Sequence, residues 1–324
     1  MPLDEFSIIQ KYFSSLGESQ GISLGVGDDC AILDIPKGKQ LAVTVDTLVE
    51  GIHFPVRASP ADIAHRSLRV NLSDIAAMGA DPHWFTLALT LPEVSDSWLH
   101  QFSQALLTDA LSFGCALVGG DTTAGPLSIT IQVLGTISQG KPLIRGGAQE
   151  GDSIYITGSL GEGAAALSLF DATSDLARIA TKDTLNRLLQ RFYRPEPRLK
   201  EGAYLRDLAS AAIDISDGLI ADLGHIAKSS GLGANIGLDR LPIASWLLAL
   251  AEPSYIEDWV LFGGDDYELC FTVPNRNKDL IESMISSREL NAVYIGKMSK
   301  IPGVRCFDSR GQAMELKKSG YQHF

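Results

Sequence analysis

The 324-residue chain is 45% hydrophobic and 20% charged, a balance that excludes disordered and fibrous classes and leaves room for two domains. Acidic residues outnumber basic ones 39 to 27, and the net charge of −12 excludes nucleic acid or an anionic membrane surface as the main partner. A phosphate-rich ligand would need imported positive charge, for which a divalent cation is the obvious source.

The first segment, Asp4 to Leu16, spaces Phe6, Ile9, Phe13 and Leu16 at three and four residues, which predicts an amphipathic helix capped by Asp4. A glycine-rich loop follows. Leu41 to Thr47 alternates as a half-buried strand does, with Leu41, Val43 and Val45 on one side and Ala42, Thr44 and Asp46 on the other. Ser59 and Pro60 are a cap and a first-turn proline for a helix over Ala61 to Met78, and Gly79 is its left-handed stop. Leu68, Leu72 and Ile75 form one stripe of that helix, and Ser67, Asn71 and Asp74 another. A strand over Trp84 to Leu91, a helix near Trp98 to Phe113, and strands Ala116 to Val118 and Ser128 to Thr136 complete the first half.

Turn residues around Gly146 to Gly151 interrupt the pattern, which places a domain boundary there, 1–150 and 151–324. The second half alternates strands (Ser153 to Thr157, Ala212 to Ile215, Tyr267 to Val273, Val293 to Gly296) with helices (near Ala164 to Phe170, Leu219 to Lys228, Lys278 to Ser286). An α/β protein with mixed sheets covered by helices is the architecture this implies. Cys30, Cys115, Cys270 and Cys306 lie far apart and read as buried, reduced thiols. An acidic N-terminal stretch and the lack of a run of about 18 apolar residues make a cytoplasmic protein the expectation.

Five acidic clusters stand out: Gly27-Asp28-Asp29-Cys30-Ala31, Thr44-Val45-Asp46-Thr47, Asn71-Leu72-Ser73-Asp74, Gly119-Gly120-Asp121-Thr122 and Asp214-Ile215-Ser216-Asp217-Gly218. Each aspartate is expected at a loop, a strand end or a polar helix face, in apolar surroundings where a bare carboxylate is expensive. Caps and turns account for any one of them: Asp217 suits an N-cap and Asp28 an Asx-turn. Asp74 is different, because it sits inside a helix with poor propensity and no capping role. Convergent carboxylates need neutralising, since two unit charges about 4 Å apart cost roughly 4 kcal/mol at an intermediate dielectric. Magnesium, with its preference for oxygen ligands shared between carboxylates, waters and phosphates, does this.

Gly158-x-x-Gly161-x-Gly163 follows a strand and precedes a helix, but its spacing permutes the dinucleotide fingerprint and suits a close-packed turn better. No P-loop motif occurs. His53 reads as a packing histidine from its apolar context, and Arg145 either as a bidentate phosphate ligand or as half of a surface ion pair.

Taken in order, these clusters resemble the thiamine-monophosphate kinases, in the superfamily that includes aminoimidazole ribonucleotide synthetase and selenophosphate synthetase. The resemblance extends through Gly263 to Leu269 and the tail Gly320-Tyr321-Gln322-His323-Phe324. It implies several magnesium ions held by Asp29, Thr44, Asp46, Asp74, Asp121, Asp214 and Asp217, with the backbone at Val45 as a further ligand. It implies ATP contacts from Gly120, Asp121, Arg145 and Ser216, and substrate contacts from His53, Asp265 and Tyr321, with turnover depending on Asp74, Asp121 and Arg145. The family's Gly-Gly-Glu-Asp-Tyr-Glu-Leu pattern carries Asp265 here, one methylene shorter. The implied fold is an N-terminal α/β domain that dimerises through its sheet and a C-terminal α/β domain, with the active site in the cleft between them. The implied reaction is ATP-dependent phosphorylation of thiamine monophosphate to thiamine diphosphate by in-line transfer. The rival readings are a superfamily ligase acting on a purine precursor, a non-enzymatic nucleotide- or metal-binding regulator, and a dehydrogenase built on the Gly158 loop.

Overall fold

The computed structural model describes residues 4–17, 19–171, 174 and 176–314. Tyr321 lies outside them. The chain divides into two units, one formed by residues up to Ile75 with Ala80–Gly140, the other by Ala76–Gly79 with the chain from Lys141 on. Both are mixed α/β, as the alternation of elements implied.

The first unit opens with α1 (Glu5–Ile8), which passes into a π-helical turn at Ile9–Phe13 instead of continuing as one α-helix. Asp4 does cap it, its Oδ1 accepting from the Ser7 amide at 2.8 Å. Short strands β1 (Ile22–Leu24) and β2 (Ile32–Leu33) pair antiparallel around the Gly27-Asp28-Asp29 loop. The main sheet has the order β3-β6-β4-β5, from β3 (Lys39–Val49), β4 (Asp81–Leu91), β5 (Ala116–Ala124) and β6 (Ser128–Ser138). Only β4 and β5 run parallel, which requires a crossover, and α3 (Asp96–Phe113) supplies it. The expected alternation of β3 holds, yet its apolar side faces outward: Leu41, Val43 and Val45 are 40%, 51% and 54% exposed.

Helix α2 (Pro60–Ala77) begins and ends as expected. Ser59 Oγ accepts from the Asp62 amide, and Gly79 (φ 63°) closes it with the amides of Gly79 and Ala80 on the Ala76 and Ile75 carbonyls. Its polar stripe is not a solvent face, because Ser67 and Asn71 are buried and bond carbonyls one turn back. Arg69 reaches from α2 to the buried Asp109 of α3 through two 2.8 Å hydrogen bonds, and His65 adds a third. This fork locks the two helices side by side.

The second unit carries a seven-stranded sheet in the order β13-β12-β9-β11-β7-β10-β8. Its strands are β7 (Ser153–Thr157), β8 (Ala211–Asp214), β9 (Gly233–Gly237), β10 (Leu269–Val273), β11 (Ala292–Ser299), β12 (Gly303–Phe307) and β13 (Ala313–Met314). All neighbours are antiparallel except β9 and β12. Helices α4 (Glu162–Leu167), α5 (Leu176–Ile179), α6 (Lys182–Tyr193) and α7 (Leu199–Leu205) precede β8. Helix α8 (Leu219–Ser229) follows it, α9 (Ser245–Leu248) and α10 (Pro253–Leu261) precede β10, and α11 (Asn275–Ser286) follows β10. The stacked rings of Tyr155 and Phe271 sit in a core with Ala76, Leu205, Leu269 and Ile281.

Four expectations need correcting. Asp121 lies inside β5, which runs through its Gly-Gly pair, and Asp46 lies inside β3, so neither is at a loop or strand end. The strand expected from Tyr267 starts at Leu269, because Tyr267 has φ 51°. Helices α5 to α7, α9 and α10 and strands β1, β2, β9, β12 and β13 fall outside the expected elements. Cys30 is exposed, whereas the other three free thiols are buried as expected, and burial pushes Cys115 up to about 12.

Candidate active site

In the first unit the strand pleat turns Thr44 and Asp46 the same way, and α2 brings Asp74 to them. Thr44 Oγ1 donates to Asp74 Oδ2 at 2.5 Å. Burial, reinforced by the charge of Asp74, pushes the Asp46 carboxyl up to about 6. The two acids thus crowd each other, the condition under which neutralisation by a cation is needed. The turn after β3 holds His53, whose Nδ1 accepts from the Val49 amide at 3.1 Å while Arg66 Nε donates to its carbonyl. An accepting Nδ1 leaves the proton of the neutral ring on Nε2.

A second group of candidates lines a cavity of about 500 Å³. Asp28 and Asp29 enter it from the glycine-rich loop, Gly119 to Thr122 from β5, and Ile9 and Phe13 from the N-terminal helix. A Cβ on Gly120 would run into the Leu87 carbonyl, so only glycine permits this approach of β4 and β5. Sheet register aligns Asp46, Ile131, Leu87 and Gly120 in one row, with Asp121 one residue further on. Three strand spacings of about 4.8 Å separate Asp46 from Gly120 by ~14 Å, whereas two oxygens on one magnesium lie about 4 Å apart at most. Within one chain this backbone separation, even shortened by the reach of two aspartate side chains, disfavours a single ion shared by Asp46 and Asp121.

In the second unit Asp214 is the buried last residue of β8, and Ser216 and Asp217 occupy the turn into α8. Asp217 does not cap that helix: the N-cap is Gly218, without a side-chain bond. The amides of Ser216, Asp217 and Gly218 instead all donate to Asp222 Oδ2, at 3.0 to 3.1 Å. Asp265 adopts φ 70° and accepts from the Tyr267 hydroxyl at 2.9 Å. Arg145 is exposed, its carbonyl accepts from Ser230 Oγ, and its guanidinium makes no ion pair among the described residues, which disfavours the surface-pair reading.

The Gly158 loop has its own tenant. Asp266 accepts from the amides of Gly161 at 2.7 Å and Gly163 at 2.9 Å, and a Cβ on Gly158 would strike the Glu268 carboxylate. Amides already bonded to a buried carboxylate cannot cradle a pyrophosphate, which removes the dehydrogenase reading. Glu268 is itself held by Arg198 (2.5 and 2.6 Å), Arg191 (2.8 Å) and Thr157 (2.7 Å).

The described residues contain no group of three or more His, Cys, Asp or Glu side chains arranged to hold a metal. The donor set around Asp74 nevertheless fits magnesium, which is commonly held by one or two carboxylates together with substrate phosphates. Two carboxylates and a hydroxyl meet there, and one turn earlier on α2 the buried Asn71 Oδ1 has no hydrogen-bond partner among the described residues. Asp222, Asp266 and Glu268 escaped the sequence reading. An acid in the first turn of a helix that follows a glycine was the available signal for Asp222.

The model of the AIR synthase related protein N-terminal domain matches residues 27–137, and that of the C-terminal domain residues 149–308. Thiamine-monophosphate kinase of Escherichia coli K12 is 45% identical, covering 100% of this chain and 99% of that protein. The crystal structure of thiamine-monophosphate kinase from Stenotrophomonas maltophilia K279a superposes with a TM-score of 0.84 at 43% identity, covering 92% of this chain and 93% of that one. AaThiL complexed with AMPPCP and TMP gives a TM-score of 0.78 at 30% identity over 93% of each chain. With likeness of this degree along its whole length, the chain belongs to the thiamine-monophosphate kinase family.

Proposed function

We propose that the chain carries out its family's reaction, moving the γ-phosphoryl of ATP onto the phosphate of thiamine monophosphate to yield thiamine diphosphate and ADP by direct in-line transfer. The observation that carries this reading is the full-length relationship to thiamine-monophosphate kinases, including one complexed with AMPPCP and TMP. The bond between the γ-phosphorus and its bridging oxygen breaks as one forms to the acceptor phosphate. A phosphate monoester has its second pKa near ~6, so the attacking oxygen is already ionised at neutral pH and needs no dedicated base. Catalysis then reduces to positioning and charge neutralisation.

Magnesium supplies the positive charge that brings two anions together. Asp29, Thr44, Val45, Asp46, Asp74, Asp121, Asp214 and Asp217 are its proposed ligands, and the ~14 Å between the Asp46 and Gly120 backbones favours more than one ion. Gly120, Asp121, Arg145 and Ser216 hold ATP, with the Arg145 guanidinium available for bidentate phosphate contact. His53, Asp265 and Tyr321 hold thiamine monophosphate, the aromatic ring lying against the cationic thiazolium.

The chain works as a cytoplasmic homodimer in this reading. Support for the dimer comes from β3, an 11-residue edge strand whose outward side is Leu41, Val43 and Val45, a surface that a soluble protein normally covers. Among the described residues no helix is long and apolar enough to cross a membrane.

Incubation of the purified protein with ATP, magnesium and thiamine monophosphate tests the reaction by chromatography. Thiamine diphosphate and ADP are expected in equal amounts. ATP binding without ADP would instead support a regulator, and ADP without thiamine diphosphate a different acceptor.

A further inference from the structure

Two loops of the second unit, 214–218 and 264–268, are fastened to each other along their backbones. The Asp265 amide donates to the Ser216 carbonyl at 2.9 Å, the Tyr267 amide to the Ile215 carbonyl at 2.8 Å, and the Ile215 amide to the Glu268 carbonyl at 2.8 Å. Gly264 packs so closely that a Cβ there would overlap the Ser216 carbonyl oxygen. Asp265 and Tyr267, non-glycine residues at φ 70° and 51°, hold a backbone conformation that persists only where the surroundings impose it. Buried carboxylates flank both loops: Asp266 and Glu268 belong to the 264–268 loop, and Asp222, in the first turn of α8, bonds the 216–218 amides.

Asp222 is only 2% exposed and sits in the first turn of α8, from which it reaches back to gather three consecutive amides onto one carboxylate oxygen. An arrangement of this kind dictates the course of the main chain from Ser216 to Gly218 and therefore where the side chains of that turn emerge. We propose that Asp222 is a positioning residue for phosphoryl transfer: by clamping the Ser216–Gly218 amides it presents Ser216 and Asp217 to the nucleotide and its metal. Through the hydrogen bonds between the two loops it also sets the backbone of Asp265. The inference rests on the reading of Ser216 and Asp217 as nucleotide and metal contacts and of Asp265 as a substrate contact. Asp222, buried and turned onto main-chain amides, is assigned no direct contact with nucleotide or substrate in this proposal.

Because all three amides converge on one oxygen, an asparagine side-chain carbonyl at the same place accepts them too, whereas alanine offers nothing. Asp222→Ala, studied below its melting temperature, is expected to raise at least tenfold the magnesium concentration for half-activation and for half-maximal ATP binding by titration calorimetry without the acceptor, and to raise KM for thiamine monophosphate. Asp222→Asn is expected to recover most of these losses. Parent-like magnesium half-activation and KM in Asp222→Ala, with only a lowered Tm, would make the residue merely structural and overturn the proposal. An Asp222→Asn variant as damaged as Asp222→Ala would overturn it as well, since charge and not amide acceptance would then matter. Should Asp222→Ala not fold, Asp222→Glu decides: its longer side chain must displace the amides, so shifted half-activation supports the proposal and parent values overturn it. Asp217→Asn separates this inference from its premise. Unchanged magnesium dependence there removes the ligand reading and the inference with it, whereas a strong effect there with none in Asp222→Ala removes the inference alone.

Discussion

Asp266 is enclosed at 1% exposure with two backbone amides and the nearby Arg191 as its compensation, and burial still pushes its carboxyl up to about 7. A carboxyl raised in the folded state stabilises the fold while it holds its proton. That contribution is lost as pH climbs from the ordinary value of 3.8 through about 7. Asp222, raised to about 7 mainly by burial, acts in the same direction. The Tm of the metal-free protein is therefore expected to fall across this window from these groups. Asp266→Asn, which has no proton to lose, is expected to flatten the fall by several degrees, on the order of 2–4 °C per kcal/mol for a unit of this size. A calorimetric pH series on both proteins checks it, and an equally steep profile in the variant would contradict the assignment.

Elements differ in how plainly the sequence announces them, and the reasons are physical. Helix α2 was legible because Ser59, Pro60 and Gly79 mark its ends and its apolar residues recur at helical spacing. The meeting of Thr44, Asp46 and Asp74 was legible in part, since a period of two fixes which β3 residues share a side and the helical interior makes Asp74 conspicuous. Strand β5 was cut short because a glycine pair reads as a break, whereas in the fold Gly120 is what lets β4 and β5 approach. Strands β9 and β12 pair parallel across 70 positions in sequence, from Gly233↔Gly303 onward, and β9 has glycine at both ends, so no local pattern marks them. The clamps at Asp222 and Asp266 were hidden for a related reason. Each reaches main-chain amides, and amides leave no trace in the residue letters.

At the scale of the whole molecule, β3 presents Leu41, Val43 and Val45 along a bare edge strand, the feature that a second copy would cover. Val43→Lys is expected to convert the proposed dimer into a monomer on size-exclusion chromatography, because covering that surface would then bury an unpaired lysine. An unchanged elution volume would place the interface elsewhere. The activity itself rests on a more specific claim, that the crowded acids at Asp46 and Asp74 hold magnesium for phosphoryl transfer. The most direct measurement is magnesium-dependent formation of thiamine diphosphate by the parent and by Asp74→Asn, side by side, with circular dichroism to verify the fold. Stoichiometric product is expected from the parent and none above background from a folded Asp74→Asn; parent-like turnover in that variant would remove Asp74 from the magnesium site.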